Sequence, residues 1–306
     1  MSRMQPGVLG AGLMLTSAVC FSVADVIIKL AEDRLTVWQI SFGQYLLGTV
    51  VLFLLALGSS SRLFGQEKGL LVLQAVLGTA MLIFLILAIQ MLPLSLALIL
   101  LYLFPAFAAL FSPLICREQV SAVEWGAVAA AVSGAIIILW PSQLGSFLNW
   151  GYLFIMAASV LAGIHINLIR RLGATDTAAT IFFYHCFIGA AISLPFLLLQ
   201  PQPLVPARLS LLGLIIIASV ALVGHLLMNH SFKMVNPTRG GILLMSELVI
   251  GAGFGIIFLG DPVSPRLIIG AGLILGCGVV LTLRPSTGPA AIVAAKNADM
   301  AKTPWR

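Results

Sequence analysis

Apolar residues along this chain do not alternate with polar ones as in a half-buried strand or a surface helix. They run on, in stretches about as long as the roughly 20 residues a helix needs to cross a bilayer. Ten such stretches lie near 7–30, 35–57, 69–92, 94–115, 122–140, 151–170, 181–199, 211–233, 240–260 and 267–284. Turn and breaker residues separate them: Gly58-Ser59-Ser60-Ser61 after the second, Pro93 between the third and fourth, and Pro141 after the fifth. Gln200-Pro201-Gln202-Pro203 ends the seventh and Asn236-Pro237 the eighth. The pattern predicts an all-α integral membrane protein of ten transmembrane helices with short loops and no separate soluble domain.

Composition agrees. Charged residues make up 8% of the 306, against the roughly 25% usual in soluble domains, and mean hydropathy is +1.12. The net charge of +6 comes from basic residues scattered singly between apolar runs, which argues against a nucleic-acid partner. Those residues also set a direction, because lysine and arginine favour the cytoplasmic side. With the N-terminus inside, Arg3, Arg62, Lys68, Arg117, Arg170, Arg171, Lys233, Arg239, Arg284, Lys296, Lys302 and Arg306 lie inside, and only Lys29, Arg34, Arg208 and Arg266 outside. Both termini are therefore expected in the cytoplasm of a plasma (inner) membrane protein. The first apolar run holds Asp25 and Lys29 and is too long for a signal core, so no cleaved signal is expected. Cys20, Cys116, Cys186 and Cys277 show no metal spacing and read as packing residues. No metal or cofactor is expected. The segment 285–306 is small and polar and is expected to be a disordered cytoplasmic tail.

The chain also repeats itself. At an offset of 143, Met91 falls on Met234, Ile99-Leu100-Leu101 on Ile242-Leu243-Leu244, Ala109 and Phe111 on Ala252 and Phe254, Glu118 on Asp261, and Val120-Ser121 on Val263-Ser264. One residue later, Gly126 and Gly134 fall on Gly270 and Gly278. This divides the chain into a first five-helix repeat at 1–140, a linker at 141–150 and a second repeat at 151–284. Five is odd, so the second repeat must enter the membrane inverted. Inverted repeats suit alternating access around a midplane site.

LYLFPAFAALFSPLICRE (101–118) resembles the fourth helix of an EamA-type domain, and LLMSELVIGAGFGIIFLGD (243–261) the equivalent helix of a second such domain. The resemblance implies the drug/metabolite transporter superfamily, with helices 1–4 and 6–9 around the cavity and helices 5 and 10 at the periphery. It also implies a proline after the Ser246-Glu247 pair, where this chain has Leu248. The ninth helix is accordingly expected to be straighter than the fourth.

Charged groups at bilayer depth need a partner or a watery cavity. Glu247 is the sharpest substrate-binding candidate, either as a cavity carboxylate or as a neutral acid bonded to a neighbouring helix. Asp25 is a second, with pairing to Lys29 one turn on as its alternative. His225 and Asn229 share a face of the eighth helix, as a cavity stripe or as packing groups. His165 with Asn167, Gln44 with Tyr45, and Tyr102 are further candidates. Pro105 is a candidate hinge, and Tyr184 and His185 a candidate gate. Arg170, Arg171, Lys233 and Arg239 read as orientation charges before an anion funnel. Gly251 and Gly255 form a GxxxG suited to helix contact within a monomer, with a monomer or weak homodimer expected.

No Walker sequence and no HExxH occurs, and only one aspartate lies deep in a span, so neither an ATP-driven pump nor an intramembrane enzyme is expected. The expectation is a secondary transporter of small metabolites working by alternating access, first an exporter of amino acids or related metabolites, possibly coupled to protons. An importer or exchanger of a nucleotide-like or vitamin-like cofactor is the alternative, and a channel or non-transporting scaffold the reading from another class.

Overall fold

In the computed structural model, the described residues are 6–31, 34–57, 65–92, 94–140, 150–203, 208–259 and 263–283, and all regular structure among them is helical. The elements are α1 (Pro6–Leu30), α2 (Val37–Leu57), α3 (Lys68–Met91), α4 (Leu94–Leu101), α5 (Phe104–Ile115), α6 (Ala122–Leu139), α7 (Trp150–Leu172), α8 (Ala178–Leu199), α9 (Arg208–Ser231), α10 (Pro237–Leu244), α11 (Ser246–Phe254), a π-helical turn (Gly255–Leu259) and α12 (Pro265–Leu283). Eight stretches among the described residues are long and apolar enough to cross a membrane; one is α10, α11 and most of the π turn taken together. Phe104–Ile115 and Ala122–Ile138 are shorter apolar helices. The turn residues 58–61, Pro93, Pro141, Asp261, the linker up to 149 and the tail lie outside the described residues.

Two caps move expected boundaries. The Thr177 hydroxyl accepts from the Thr180 amide (3.1 Å) and starts α8 at Ala178 rather than 181. The Asn236 side-chain Oδ1 accepts from the Arg239 amide (2.8 Å), with Pro237 at the first helical position, so the pair that ends the eighth span also opens the ninth.

The expected fourth and ninth helices are both broken, at positions 143 residues apart. The first breaks at Tyr102-Leu103 between α4 and α5, and the second at Met245 between α10 and α11. Pro105 explains the first: lacking an N–H, it cannot bond the Leu101 carbonyl, and the Ser159 hydroxyl of α7 donates to that oxygen instead (3.0 Å). The second has no proline. There the Leu248 amide donates to the Met245 carbonyl three residues back (3.1 Å), and the Met245 amide is shared between Gly241 and Ile242 (3.2 Å each). The ninth helix is thus interrupted without a proline, because tightening to three-residue bonds breaks the four-residue ladder there.

Helices pack across the two halves of the sequence. α1 lies against α9, α3 against α7, α2 against α8, α5 against α10, and α6 against α12. The Ser17 hydroxyl donates to the Gly224 carbonyl (2.9 Å) and the Ser231 hydroxyl to the Gly10 carbonyl (2.6 Å), tying α1 to α9 where apolar packing alone gains little in lipid. α6 and α12 touch at Gly134 and Gly270, where a Cβ on either would collide with the other's carbonyl oxygen. A core of Met14, Leu71, Ile169, Leu172, Ile181, Met228 and Phe232 closes one end of the bundle.

Candidate functional site

The break at Met245 faces α1, which packs on both α10 and α11. The Ser22 hydroxyl donates to the Glu247 carbonyl oxygen (2.9 Å), fixing the first turn of α11 against α1. One turn along α1, the Asp25 side chain is exposed and its carboxyl group is in hydrogen-bond contact with that of Glu247. Tyr102, at the first break, lies within electrostatic reach of both. Its ring also packs on the cluster of Ile242, Met245 and Ile274. The structure thus brings Asp25, Glu247 and Tyr102 together from α1, α11 and the α4–α5 break. The alternative partner of Asp25, the Lys29 side chain, lies outside the described residues.

A second cluster forms where α7, α8 and α9 meet α3. His165 and His185 have ring centroids 5.3 Å apart, and His185 and His225 6.3 Å. Phe182 stacks on His225 at 4.6 Å, Phe21 meets the same ring edge-on at 4.7 Å, and Tyr45 meets His185 at 5.3 Å. His165 Nδ1 lies 3.0 Å from the Gln74 backbone carbonyl. Gly78 of α3 supports the group at close quarters: a Cβ there would overlap both His165 and His185.

The remaining candidates divide. Of the two residues expected at a gate, His185 lies in the imidazole cluster and Tyr184 packs against the core around Phe232. Asn229 is buried on α9 one turn from His225. Asn167 is a packing group: its amide donates to the carbonyls of Ala108 (3.0 Å) and Gly163 (2.8 Å). Gln44 is half-buried, and its neighbour Tyr45 is the residue that meets the imidazoles. Pro105 sits buried just past the break it causes.

At the end of the bundle where α7 stops, charged groups knit the loops together. Arg170 donates to Glu118 through Nε (3.0 Å) and Nη2 (2.7 Å), and through Nη1 to the carbonyls of Phe232 (2.9 Å) and Lys233 (2.6 Å). Arg117, at φ 57°, takes the left-handed position of a helix C-cap, and Glu118 N reaches back to the Ser112 carbonyl (3.4 Å), which turns Glu118 toward Arg170. Lys233 Nζ donates to the Asp176 carbonyl (2.7 Å), and Asp176 Oδ1 accepts from Gln66 N (2.8 Å). Burial pulls the Lys233 ammonium below its usual range, with Asp176 opposing. Burial pushes the Cys116 thiol up to about 12; Glu118 adds to the shift, and Arg170 and Arg171 oppose it. Beside this network Glu124 is fully buried. Its Oε1 accepts from Arg239 Nε (2.7 Å) and Asn236 Nδ2 (2.8 Å), and its Oε2 from Ser121 N (2.8 Å) and Oγ (2.9 Å). Reading Arg170 and Arg239 as orientation charges alone missed these pairs. Ser121-x-x-Glu124 is a capping box legible in the sequence, and Gln74, a lone amide in an apolar run, was equally visible.

A carboxyl pair and an imidazole cluster thus lie beside two interrupted helices, in a multi-pass protein whose long apolar helices leave few other polar groups at membrane depth. The chain belongs to the EamA-like transporter family, whose pattern matches residues 8–140 and 149–284. It is 27% identical over 280 residues to the pseudopaline exporter CntI of Pseudomonas aeruginosa (strain UCBPP-PA14), covering 91% of this chain and 97% of that one. It is 23% identical over 182 residues to an uncharacterized transporter of Archaeoglobus fulgidus, covering 59% and 64%. A protein of known crystal structure superposes with a TM-score of 0.77 over 90% of this chain and 98% of that one; at 18% identity that likeness shows the fold alone.

Proposed function

We propose that this protein is an exporter of amino acids or related amine-bearing metabolites, working by alternating access and exchanging a proton at the Asp25–Glu247 pair. The carboxyl pair beside the twin helix breaks carries the reading. It sits at bilayer depth, where unpaired charge is costly, and is positioned to trade a proton for a substrate ammonium. Exporter relatives at 27% identity support the direction.

In this reading α4 with α5, and α10 with α11 and the π turn, each act as one span. That gives ten spans in two inverted repeats of five, divided near 141–150. The cross-half pairing supports the inversion: the first helix of each half packs on the third of the other, while second, fourth and fifth pack on their own counterparts. The excess of lysine and arginine at the Arg170 end supports cytoplasmic termini in the inner membrane. That end is then closed, and the exposed Asp25 faces the other way.

The test is counterflow of amino acids in proteoliposomes, together with thermal shift of purified protein against a metabolite panel. An amine-bearing class should stabilise the wild type and exchange saturably, and Glu247→Gln should abolish both. A ligand that still binds and exchanges in Glu247→Gln overturns this site.

A further inference from the structure

We propose that Gln74, His185 and Asn229, with the rings of His165 and His225, form a second ligand subsite that accepts an amino group, so that the transported molecule carries two nitrogen groups. The inference rests on the preceding reading, in which the Asp25–Glu247 pair holds one ammonium.

The Gln74 backbone carbonyl can only accept, so His165 Nδ1, 3.0 Å away, carries the hydrogen. The Gln74 side-chain amide nitrogen lies 3.4 Å from His165 Nε2. The same nitrogen lies 3.5 Å from His165 Nδ1, so it faces the ring between the two ring nitrogens. With its nitrogen toward the ring, the Gln74 amide leaves its oxygen as the free end. Among the described residues this Oε1 finds no partner, although Gln74 is 1% exposed. The same is true of His185 Nδ1 in a residue 7% exposed, and of Asn229 Oδ1 in one 1% exposed.

Buried polar atoms are paired as a rule, and each one left unpaired is costly. Here Gln74 and His185 both meet His165, and Asn229 lies one turn along α9 from His225; the two amide oxygens only accept. The rings that meet the imidazoles from α1, α2 and α8 are Phe21, Tyr45 and Phe182, none of them cationic. A carboxylate entering the cluster would meet the oxygens of Gln74 and Asn229. An amine supplies the donors they lack. The subsite also adjoins the carboxyl pair: Phe21 touches His225 and lies one turn before Asp25 on α1. One extended molecule can therefore place an ammonium on the pair and a second amino group among the imidazoles.

The experiment uses the purified full chain and a series of α,ω-diamines of graded length. Each is compared by thermal shift with the monoamine and the ω-amino acid of equal length. A diamine of one preferred length should bind about tenfold tighter than its monoamine, with the amino acid no tighter than the monoamine. Gln74→Leu and His185→Phe should each erase that preference and leave monoamine binding unchanged. Equal binding of diamine and monoamine by the wild type overturns the proposal whether or not the variants fold. So does a preference that survives both substitutions, which would mean that water alone satisfies these atoms, or an ω-amino acid that outcompetes the diamine. If no amine binds at all, monoamine included, the carboxyl-pair reading fails as well, and the two failures are told apart.

Discussion

If Arg170 holds one end of the bundle shut, replacing it by methionine should open that end. Arg170 makes four hydrogen bonds, two to Glu118 and two to backbone carbonyls of the α9–α10 turn, from a side chain 13% exposed against a Glu118 side chain 7% exposed. Breaking a buried pair by removing one partner costs about 3–5 kcal/mol. Slight exposure favours the lower end, and about 3 kcal/mol moves an open–closed equilibrium roughly a hundredfold. Cys116 is the natural reporter. It lies two residues before Glu118, with its Sγ donating to the Asn167 carbonyl (3.2 Å). In a background with Cys20, Cys186 and Cys277 replaced by alanine, maleimide should label Cys116 far faster in Arg170→Met than with Arg170 intact. A thermal melt confirms that both remain folded at the labelling temperature. Arg170→Glu combined with Glu118→Arg should slow labelling again, though not fully, because the carbonyl contacts are lost. Unchanged labelling in folded Arg170→Met would refute the lock.

Three further outcomes are expected. Glu124→Ala strands Arg239 and removes a capping box, and should lower stability by about 3–5 kcal/mol in thermal unfolding; Arg239→Met in the same chain should recover part of it, and strict additivity would show the pair is not coupled. Ser159→Ala leaves the Leu101 carbonyl without its donor and should cost about 1–3 kcal/mol, whereas a change under a few tenths would mean the break needs no support from α7. With its thiol held near 12 against an ordinary value of 9.0, Cys116 should react with maleimide at neutral pH about a thousandfold more slowly than an exposed cysteine, and faster as pH rises; comparison with a cysteine placed in the tail measures this.

Sequence patterning revealed helices well because lipid demands long apolar runs, and that demand is local. It revealed breaks only where a residue type announces them. Pro105 does so, but Met245 does not, since a switch from four-residue to three-residue bonds leaves no mark in composition. Asp25, Glu247 and Tyr102 stood out because polar groups at bilayer depth are rare, and the structure brings those three together. Which imidazoles meet was not legible: His165, His185 and His225 lie on three helices, and only tertiary packing, with Gly78 of a fourth helix against the first two, brings them into one group. The Arg170–Glu118 and Arg239–Glu124 pairs were hidden for a different reason. A statistical rule about which side basic residues favour explained them well enough to stop the search for partners.

The break at Tyr102 and the break at Met245 occupy the same register of the repeat yet rest on different chemistry, one on a missing amide and a borrowed hydroxyl, the other on crowded backbone bonding. The two joints should therefore differ in stiffness. A prolyl joint stays interrupted in every arrangement, because no amide is there to close the ladder. A joint made by redistributed amide bonds can heal into a continuous helix at the cost of a few contacts. Movement should then be lopsided, with α10 and α11 straightening and flexing while α4 and α5 keep a fixed elbow, so Glu247 travels and Tyr102 stays as the anvil it works against.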